Sequence, residues 1–285
     1  MTTFERKMTT TERFVRFVKH RYVTIISYSG KGGTGKTLGA DNLALRFAKE
    51  GFNVGLVDID IEMSSVARTM GFQGELVDRC RKRKLLLPKE HKEYPNLKMF
   101  SLSIMPFFEG EDVGECVFWG GEYQREYVFQ MVFDVYWGDL DVMIFDLPAG
   151  ISDAIIALTN IYKKIDYCLV TGQNNYTSTD GISKAITTCK HNNIEILGVI
   201  ANEDHYICPK CKHKSHPKGK GKVKKISEKY NIEFLGPVPL SEKISKGMGE
   251  GHPFVDSTTY DAAFLKAVMG KPRLHKKYKK LQRRK

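Results

Sequence analysis

The chain has 285 residues, of which 41% are hydrophobic and 27% are charged, a balance typical of a globular protein with a sizeable core. No apolar run approaches the ~20 residues that a membrane-spanning helix needs, and residues 1–20 are too polar for a secretory signal, so we expect a cytoplasmic protein. The formal net charge of +12 is concentrated in residues 210–225, which carry eight lysines, and residues 271–285, which carry nine basic residues.

Apolar runs alternate with longer amphipathic segments, a pattern that predicts βα repetition and a parallel sheet. The predicted strands are Val23–Tyr28, Asn53–Val57, Leu97–Leu102, Asp141–Phe145, Tyr167–Thr171, Ile196–Ile200 and Phe234–Leu235. The predicted helices are Leu38–Glu50, Glu122–Trp137, Asp153–Ile161, Thr179–Lys190, Val223–Tyr230 and Thr258–Val268, the last of them stopped by Gly270 and Pro272. Arg79–Tyr94 is basic and contains Pro88, and we predict an exposed connection there.

These elements predict three segments. Residues 1–21 are expected to form a short helical extension, and residues 271–285 a basic tail, either solvated or engaged with an anionic partner. Residues 22–270 are expected to form one doubly wound α/β domain, with a mostly parallel sheet and helices on both faces.

The segment Ser29–Thr37 reads SGKGGTGKT and lies between the first predicted strand and the first predicted helix. In that context it indicates a phosphate-binding loop, because glycines let backbone N–H groups close around phosphate oxygens at the positive end of a helix. Lys36 would reach the β- and γ-phosphates, and the Thr37 hydroxyl would ligate Mg²⁺. The residues expected to contact the nucleotide are Gly30, Lys31, Gly32, Gly33, Thr34, Gly35, Lys36 and Thr37.

Acidic residues end two further apolar runs. Asp58 and Asp60 alternate after the second strand, so both would face one side of it. Asp146 ends the run that starts at Asp141 and suits a water-mediated Mg²⁺ contact, and Gly150 would lie close to the γ-phosphate. An acid at a strand end is also often a helix cap or a turn former. Beside a phosphate-binding loop, these acids supply the metal support and water orientation that phosphoryl transfer needs.

Cys208 and Cys211 form a Cys-x-x-Cys pair at the start of the first lysine-rich segment. Two thiolates are half of the four that a [4Fe–4S] cluster needs, and a symmetric homodimer would supply two from each chain. Three alternatives remain open at this point: a zinc site completed by His213 and His216, a redox dithiol, and two reduced surface cysteines.

With its additional lysine, Lys31, the glycine-rich loop resembles the deviant KGGxGKT type of the MinD/ParA superclass of dimeric ATPases. Within that superclass the chain is most similar to the Mrp/ApbC iron–sulfur carrier family, over most of its length. The segments that carry this resemblance are Asp58–Ile61, Trp137–Asp141, Asp146–Gly150, Gly198–Ile200, Cys208–Cys211 and Phe234–Leu240.

The resemblance implies a homodimer that binds and hydrolyses ATP and bridges a labile [4Fe–4S] cluster, which it passes to recipient apo iron–sulfur proteins. It implies that Lys31 crosses the dimer interface to the partner's nucleotide and that Asp60 is the switch acid that positions water. Asp58 and Asp146 would support Mg²⁺.

The same resemblance places Asn202 and Pro239 in the adenine-contacting segments. The chain departs from the family pattern at Met63-Ser64, Ala149, Gly172-Gln173 and Glu203-Asp204. Because these positions belong to the first switch and the rim of the nucleotide site, we expect slow or differently controlled hydrolysis.

The alternative function is a ParA/MinD-like positioning ATPase that binds DNA or a membrane through the two basic segments. DNA binding of that kind would be ATP-dependent and would fall steeply with salt. For membrane targeting, residues 271–285 offer only Leu274, Tyr278 and Leu281 as apolar anchors, so that version is the weaker one.

Overall fold

The computed structural model describes residues 22–61, 63–75, 77–80, 85–104, 121–150, 153–162, 165–253 and 258–283. The helical extension expected over residues 1–21 lies outside these residues. No helix within them has the length and apolar content to cross a membrane.

Twelve strands are found in the described residues, and eight of them form one sheet. In chain order they are β1 Val23–Tyr28, β2 Val54–Asp58, β3 Arg79–Cys80, β4 Leu85–Leu86, β5 Lys89–Glu90, β6 Leu97–Phe100, β7 Val142–Asp146, β8 Tyr167–Gly172, β9 Glu195–Ala201, β10 Tyr206–Ile207, β11 Lys214–Ser215 and β12 Phe234–Pro237. The sheet order is β12-β9-β8-β1-β7-β2-β6-β5, with β5 antiparallel to β6 and every other neighbour parallel.

The helices in the same part of the chain connect these strands. They are α1 Lys36–Lys49, α2 Val66–Thr69, α3 Gly121–Phe133, α4 Asp153–Ile161, α5 Tyr176–His191, α6 Lys222–Lys229, α7 Glu242–Gly249, α8 Thr258–Gly270 and α9 Pro272–Gln282. The connection from β1 to β2 crosses the sheet in one direction, and those from β7 to β8 and from β8 to β9 cross it in the other. Because such crossovers are right-handed, α1 lies on one face and α4 and α5 lie on the opposite face.

This arrangement confirms the predicted doubly wound α/β fold and fixes where a ligand would bind. The strands β1, β2, β7 and β8 are buried along their whole lengths, as expected for a parallel sheet covered on both faces. The chain direction changes beside β1, and the loop that follows β1 lies at the carboxyl edge of the sheet. That edge is where open α/β sheets bind ligands.

The prediction of an exposed connection over Arg79–Tyr94 is wrong for its second half. Leu85, Leu86 and His91 are buried. The backbone N–H of Leu86 donates to Asp134 O, and the N–H of Tyr136 donates to Leu86 O, both at 2.8 Å. This segment therefore packs against the domain and supplies the edge strand β5 of the sheet, which its basic composition did not indicate.

Helical structure continues past Pro272, which is the first residue of α9. Leu274 is fully buried, and the ring of Tyr278 stacks on Phe52 with 6.4 Å between centroids. Lys277 is paired with the carboxylate of Asp141. Residues 272–282 are therefore a packed helix rather than a solvated tail. The apolar anchors considered for membrane targeting are engaged with the protein's own core.

We expect Leu274→Ala to lower the free energy of unfolding by about 2–4 kcal/mol, because it removes a fully buried side chain between α9 and the domain. Urea denaturation followed by circular dichroism measures the change. Lys276→Ala, on the exposed side of the same helix, is the control. Equal stability of the two variants would contradict the packing of α9.

Candidate functional site

The loop after β1 is held open by hydrogen bonds of its own side chains. The Ser27 hydroxyl donates to Lys36 O at 2.8 Å, and the Ser29 hydroxyl donates to Lys31 O at 2.7 Å. Gly33 and Gly35 have φ values of 69° and 92°, which residues with a Cβ rarely adopt. The loop thus has the open backbone that phosphate binding requires.

The start of α1 is prepared for an anion. The helix has no side-chain cap at its N-terminus and no acidic residue in its first turn, so its terminal N–H groups face the loop. Lys36, the first residue of α1, is buried, and no carboxylate in the described residues lies within 4 Å of its ammonium group. The charge of Lys36 acts on the buried carboxyl group of Asp146, and a phosphate group would give it a partner in direct contact.

Gly30 packs directly against the backbone of Gly181 in α5. A Cβ added at position 30 would lie 2.2 Å from Gly181 O, whereas a Cβ at Gly32 meets nothing within 4 Å. The loop therefore depends on a backbone contact at one glycine and is open at another.

We expect Gly30→Ala to destabilise the ligand-free protein by about 2–4 kcal/mol and to weaken nucleotide binding, since the loop must move away from α5. Gly32→Ala is the matched control and should change the free energy of unfolding by less than about 0.5 kcal/mol. Thermal unfolding without nucleotide and calorimetric titration with MgADP give the two quantities. A similar loss of stability in both variants would contradict this account.

Thr37 and Asp146 lie together at the ends of α1 and β7. The Thr37 hydroxyl donates to Asp146 Oδ2 at 2.6 Å and lies 3.2 Å from Ser65 Oγ. The other carboxylate oxygen of Asp146, Oδ1, is buried without a hydrogen-bond partner. A hydroxyl beside an unpartnered carboxylate oxygen suits a hydrated Mg²⁺ ion, so the residues present fit this metal.

The carboxyl groups beside Thr37 carry raised pKa values. Burial, and then the negative charge of Asp58, raise the pKa of Asp146 to about 8. Burial is also the main cause that raises the pKa of Asp58 to about 6. Two neighbouring buried carboxyl groups with raised pKa values would be stabilised in their ionised forms by a bound cation.

Asp58 and Asp60 occupy different environments. Asp58 is buried, and its Oδ2 accepts hydrogen bonds from Ser64 Oγ at 2.8 Å and from the N–H of Ser65 at 2.9 Å. Asp60 lies beyond the end of β2, half-buried, and its Oδ1 accepts from the N–H of Met63 at 3.2 Å. Asp58 therefore organises the turn before α2, while Asp60 belongs to the turn itself.

A serine on a distant strand end completes the surroundings of Asp58. The Ser101 hydroxyl donates to Asp58 Oδ2 at 3.1 Å and is buried. Ser101 follows β6, and 43 residues separate it from Asp58, so no local pattern in the sequence connects the two. Their contact depends on the pairing of β2 with β6.

Lys31 differs from Lys36 in its exposure and its partner. Its ammonium group is exposed and donates to Thr177 Oγ1 at 2.7 Å, at the start of α5. The side chain thus points along the surface rather than into its own loop. It is accessible to a second molecule that approaches this edge of the sheet.

Asn202 and Pro239 follow the neighbouring strands β9 and β12. Asn202 is buried, and a Cβ at Gly35 would lie 2.3 Å from its amide nitrogen, so Asn202 lies directly against the loop. The Val238 N–H donates to Ala201 O at 2.8 Å, which holds the segment of Pro239 beside that of Asn202. The two residues lie on one side of the loop.

Asp41 is a buried acid that the sequence did not single out. It lies one helical turn after Thr37, and both of its carboxylate oxygens are buried without a hydrogen-bond partner. Burial, and the charges of Asp146 and Asp58, hold the pKa of Asp41 well above its ordinary value. Burial of this kind favours the protonated form of the carboxyl group in the folded protein.

We expect Asp41→Asn to stabilise the protein by about 1–3 kcal/mol at pH 8 and to have little effect below about pH 4, where the unfolded chain also holds the proton. The folded state holds the Asp41 proton more tightly than the unfolded chain does. The stability from this group is therefore fully present below the unfolded pKa, about 4, and is lost progressively as pH rises from there to the folded pKa, whereas asparagine cannot ionise. Thermal unfolding at about pH 3.5 to 8 tests this, with exposed Asp139→Asn as control. A pH-independent difference would contradict it.

Cys208 and Cys211 lie at the tip of a hairpin formed by β10 and β11. The tip is closed by the N–H of Cys208, which donates to His213 O, and by the N–H of Lys212, which donates to Cys208 O. Cys208 is half-buried and Cys211 is exposed. Hydrogen bonds from the backbone of Cys211 and Lys210 lower the pKa of Cys208. An accessible thiol with a lowered pKa next to a second exposed thiol is suited to metal or cluster binding.

The structure does not assemble the alternative zinc site. His216 Nδ1 lies 2.8 Å from Asp204 O, at the base of the hairpin rather than at its tip. Across the described parts of the chain, no group of three or more His, Cys, Asp or Glu side chains could hold a metal ion. Cys208 and Cys211 therefore remain an incomplete set of ligands within one chain.

Comparison with known proteins finds relatives that match most of this chain. A family model described as "NUBPL iron-transfer P-loop NTPase" matches residues 19–270. The cytosolic Fe-S cluster assembly factor nubp2 of Danio rerio is 31% identical over 87% of this chain and 90% of that protein. The iron-sulfur cluster carrier protein of Aquifex aeolicus is 32% identical over 87% of this chain, which spans only 65% of that relative.

Solved structures show the same fold. A nucleotide-binding protein from Archaeoglobus fulgidus, in complex with ADP, superposes with a TM-score of 0.72 at 23% identity, over 90% of this chain and 96% of that one. MinD of Pyrococcus horikoshii, complexed with Mg-ADP, has a TM-score of 0.59 at 18% identity, over 88% and 97% of the two chains.

Proposed function

This chain belongs to the NUBPL iron-transfer P-loop NTPase family, and on that premise we propose that it is an ATP-hydrolysing carrier of iron–sulfur clusters. It acts as a cytoplasmic homodimer that bridges a labile [4Fe–4S] cluster and passes it to recipient apo iron–sulfur proteins. One observation carries the proposal: the chain presents a prepared anion site and, on a separate exposed hairpin, half of a cluster ligand set.

The nucleotide half of the proposal rests on Lys36, Thr37 and Asp146. Lys36 and the N–H groups from Gly30 to Thr37 hold the phosphates of ATP, since a buried lysine lies at the uncapped start of α1. Thr37 and Asp146 hold Mg²⁺, which neutralises charge on the phosphates when it is bound. Asn202 and Pro239 hold the adenine.

Two further residues carry hydrolysis. Lys31 stabilises charge on the partner's nucleotide, and its exposure at the sheet edge supports this role. Asp60 orients the attacking water, and its position in the turn after β2 leaves its carboxylate near the loop surface. Asp58 acts indirectly, by holding the turn that carries Asp60 and by supporting Mg²⁺ through its charge.

The cluster half of the proposal rests on the exposed hairpin tip. The hairpin of one chain offers two thiols, and in the part of the chain that the structure describes no histidine completes a metal site with them. A dimer axis through the tip would bring four thiolates together, which is the number that a [4Fe–4S] cluster needs. A cluster held at an exposed tip remains accessible to an acceptor.

Anaerobic reconstitution with iron and sulfide tests the function directly. We expect about four iron and four sulfide per dimer, a visible charge-transfer absorption, and transfer of the cluster to an apo [4Fe–4S] ferredoxin. ATP hydrolysis is followed in parallel by phosphate release. Recovery of zinc without iron, or of a monomer that retains iron, would overturn the proposal.

A further inference from the structure

Two adjacent acids join the cysteine hairpin to the body of the protein. Glu203 and Asp204 occupy the turn between β9 and β10. Asn174 Nδ2 donates to Asp204 Oδ1 at 2.7 Å, and His216 Nδ1 lies 2.8 Å from Asp204 O. Asn174 is buried, so this contact anchors the base of the hairpin.

Glu203 makes the connection that reaches the phosphate-binding loop. Its Oε2 accepts from Gln173 Nε2 at 2.7 Å and from Lys218 Nζ at 2.8 Å. The same Gln173 Nε2 donates to Gly33 O at 3.1 Å. A continuous set of polar contacts therefore runs from Gly33 through Gln173 and Glu203 to Lys218, and we call it the Gly33–Lys218 link.

The middle of the link is rigid and its ends are adaptable. Gln173 is 5% exposed, and its side-chain Oε1 accepts from Asn175 Nδ2 at 3.3 Å and from Lys218 Nζ at 3.4 Å, so its amide cannot turn freely. Gly33 has a φ of 69° and open space around it, and Lys218 is partly exposed. A displacement of the Gly33 peptide therefore changes the position in which Glu203 and Lys218 meet.

From this geometry we propose that the Gly33–Lys218 link couples nucleotide occupancy to the mobility of the hairpin that carries Cys208 and Cys211. Phosphates bound in the loop orient the Gly33 peptide, which fixes Gln173 and holds Glu203 and Lys218 together. The hairpin is then held more firmly when nucleotide is bound. Gln173, Glu203 and Lys218 are positioning residues in this scheme. The inference deepens the proposed function and rests on it, since it concerns communication between its two sites.

Charge supports the choice of Lys218 among the lysines of this segment. Lys218 has a carboxylate partner at 2.8 Å, whereas the exposed Lys220 has none among the described residues. The Glu203–Lys218 pair is partly solvated, so we expect a modest coupling rather than a strict switch. Coupling between two sites is reciprocal and is measured as a ratio of rates or affinities.

The experiment measures alkylation of Cys208 and Cys211 by iodoacetamide in the reduced, cluster-free, full-length protein, with and without saturating MgADP. Peptide mass spectrometry separates these thiols from the other four. We expect MgADP to slow alkylation about threefold in the wild-type protein. Lys218→Met should bring the ratio close to one without loss of MgADP binding, and Lys220→Met should keep the wild-type ratio.

A second pair of variants separates the link from a general effect on folding. Glu203→Lys should bring the ratio of alkylation rates without and with MgADP close to one. Its combination with Lys218→Glu should restore part of the wild-type ratio, because the ion pair is rebuilt in reverse. A wild-type ratio near one, or a threefold ratio retained in Lys218→Met, overturns the inference while leaving the proposed function intact. Failure of the wild-type protein to bind MgADP would instead contradict the proposed function.

Discussion

Replacing Cys208 and Cys211 together by serine is expected to remove the reconstituted cluster completely, from about four iron per dimer to none. Serine keeps the size of the side chain but is a poor ligand for iron, and the two thiols are the ligands that each chain contributes to the proposed site. The fold should be unaffected, because both residues lie at the tip of a hairpin and outside the core. Iron and sulfide assays and the visible spectrum measure the loss.

The matched control for this change is Cys116→Ser, a cysteine remote from the pair in the sequence. It should retain full iron content. MgADP affinity should stay within about twofold of wild type in both variants, since the phosphate-binding loop is a separate structure. Iron that persists in the double serine variant would show that other ligands hold the cluster, and the bridging arrangement would then be wrong.

Lys36→Ala is expected to weaken MgATP binding by about 100-fold or more and to abolish hydrolysis. Lys36 is a buried cation whose charge is not matched by any carboxylate within 4 Å in the described chain, so the phosphates are its natural counterion. Loss of one partner from a desolvated charge pair costs about 2–5 kcal/mol, and 1.4 kcal/mol corresponds to a tenfold change in affinity. Calorimetric titration and a phosphate-release assay test the two effects.

Lys31→Ala serves as the comparison within the same loop. Because the Lys31 ammonium is exposed and hydrogen-bonded to Thr177, its removal should change MgADP affinity by less than about fivefold. Hydrolysis should still fall by 100-fold or more if Lys31 acts on the partner's nucleotide. Mixing Lys31→Ala with Lys36→Ala protein should restore part of the activity. Equal loss of nucleotide binding in both variants would contradict the separate roles of the two lysines.

The central strands were predicted well because their signal is local. Val23–Tyr28 has the predicted bounds, and the bounds of the strand that ends at Asp146 differ by one residue at each end. A strand that is buried on both faces is a continuous run of apolar residues, which can be recognised from the sequence alone. The short elements β3, β4, β5, β10 and β11 were not predicted, since two residues are too few to show any periodicity.

The end of the chain shows how a local signal can be misread. Gly270 and Pro272 were taken to stop the last helix, and they do separate α8 from α9. Nevertheless Pro272 begins a new helix. Most residues after it are charged or polar, so only three apolar residues indicate which face of this helix is buried. Leu274, Tyr278 and Leu281 recur at helical spacing, but the aromatic surface that they cover becomes visible only in the folded domain.

The sequence by itself determined the phosphate-binding loop, the acids at the strand ends and the cysteine pair, because each depends on residues that are neighbours in the chain. The fold class was determined by a local pattern as well, since apolar runs and amphipathic segments alternate along the chain. Only the tertiary structure decided what these parts can do together. It brought Ser101 to Asp58, placed the buried Asp41 behind the site, kept His216 away from the cysteines, and joined Gly33 to Lys218. The physical reason is that such contacts arise from strand order and helix packing between distant segments, which no local pattern records. The phosphate-binding loop, recognisable from nine consecutive residues, thus gains its connection to the cysteine hairpin only in three dimensions.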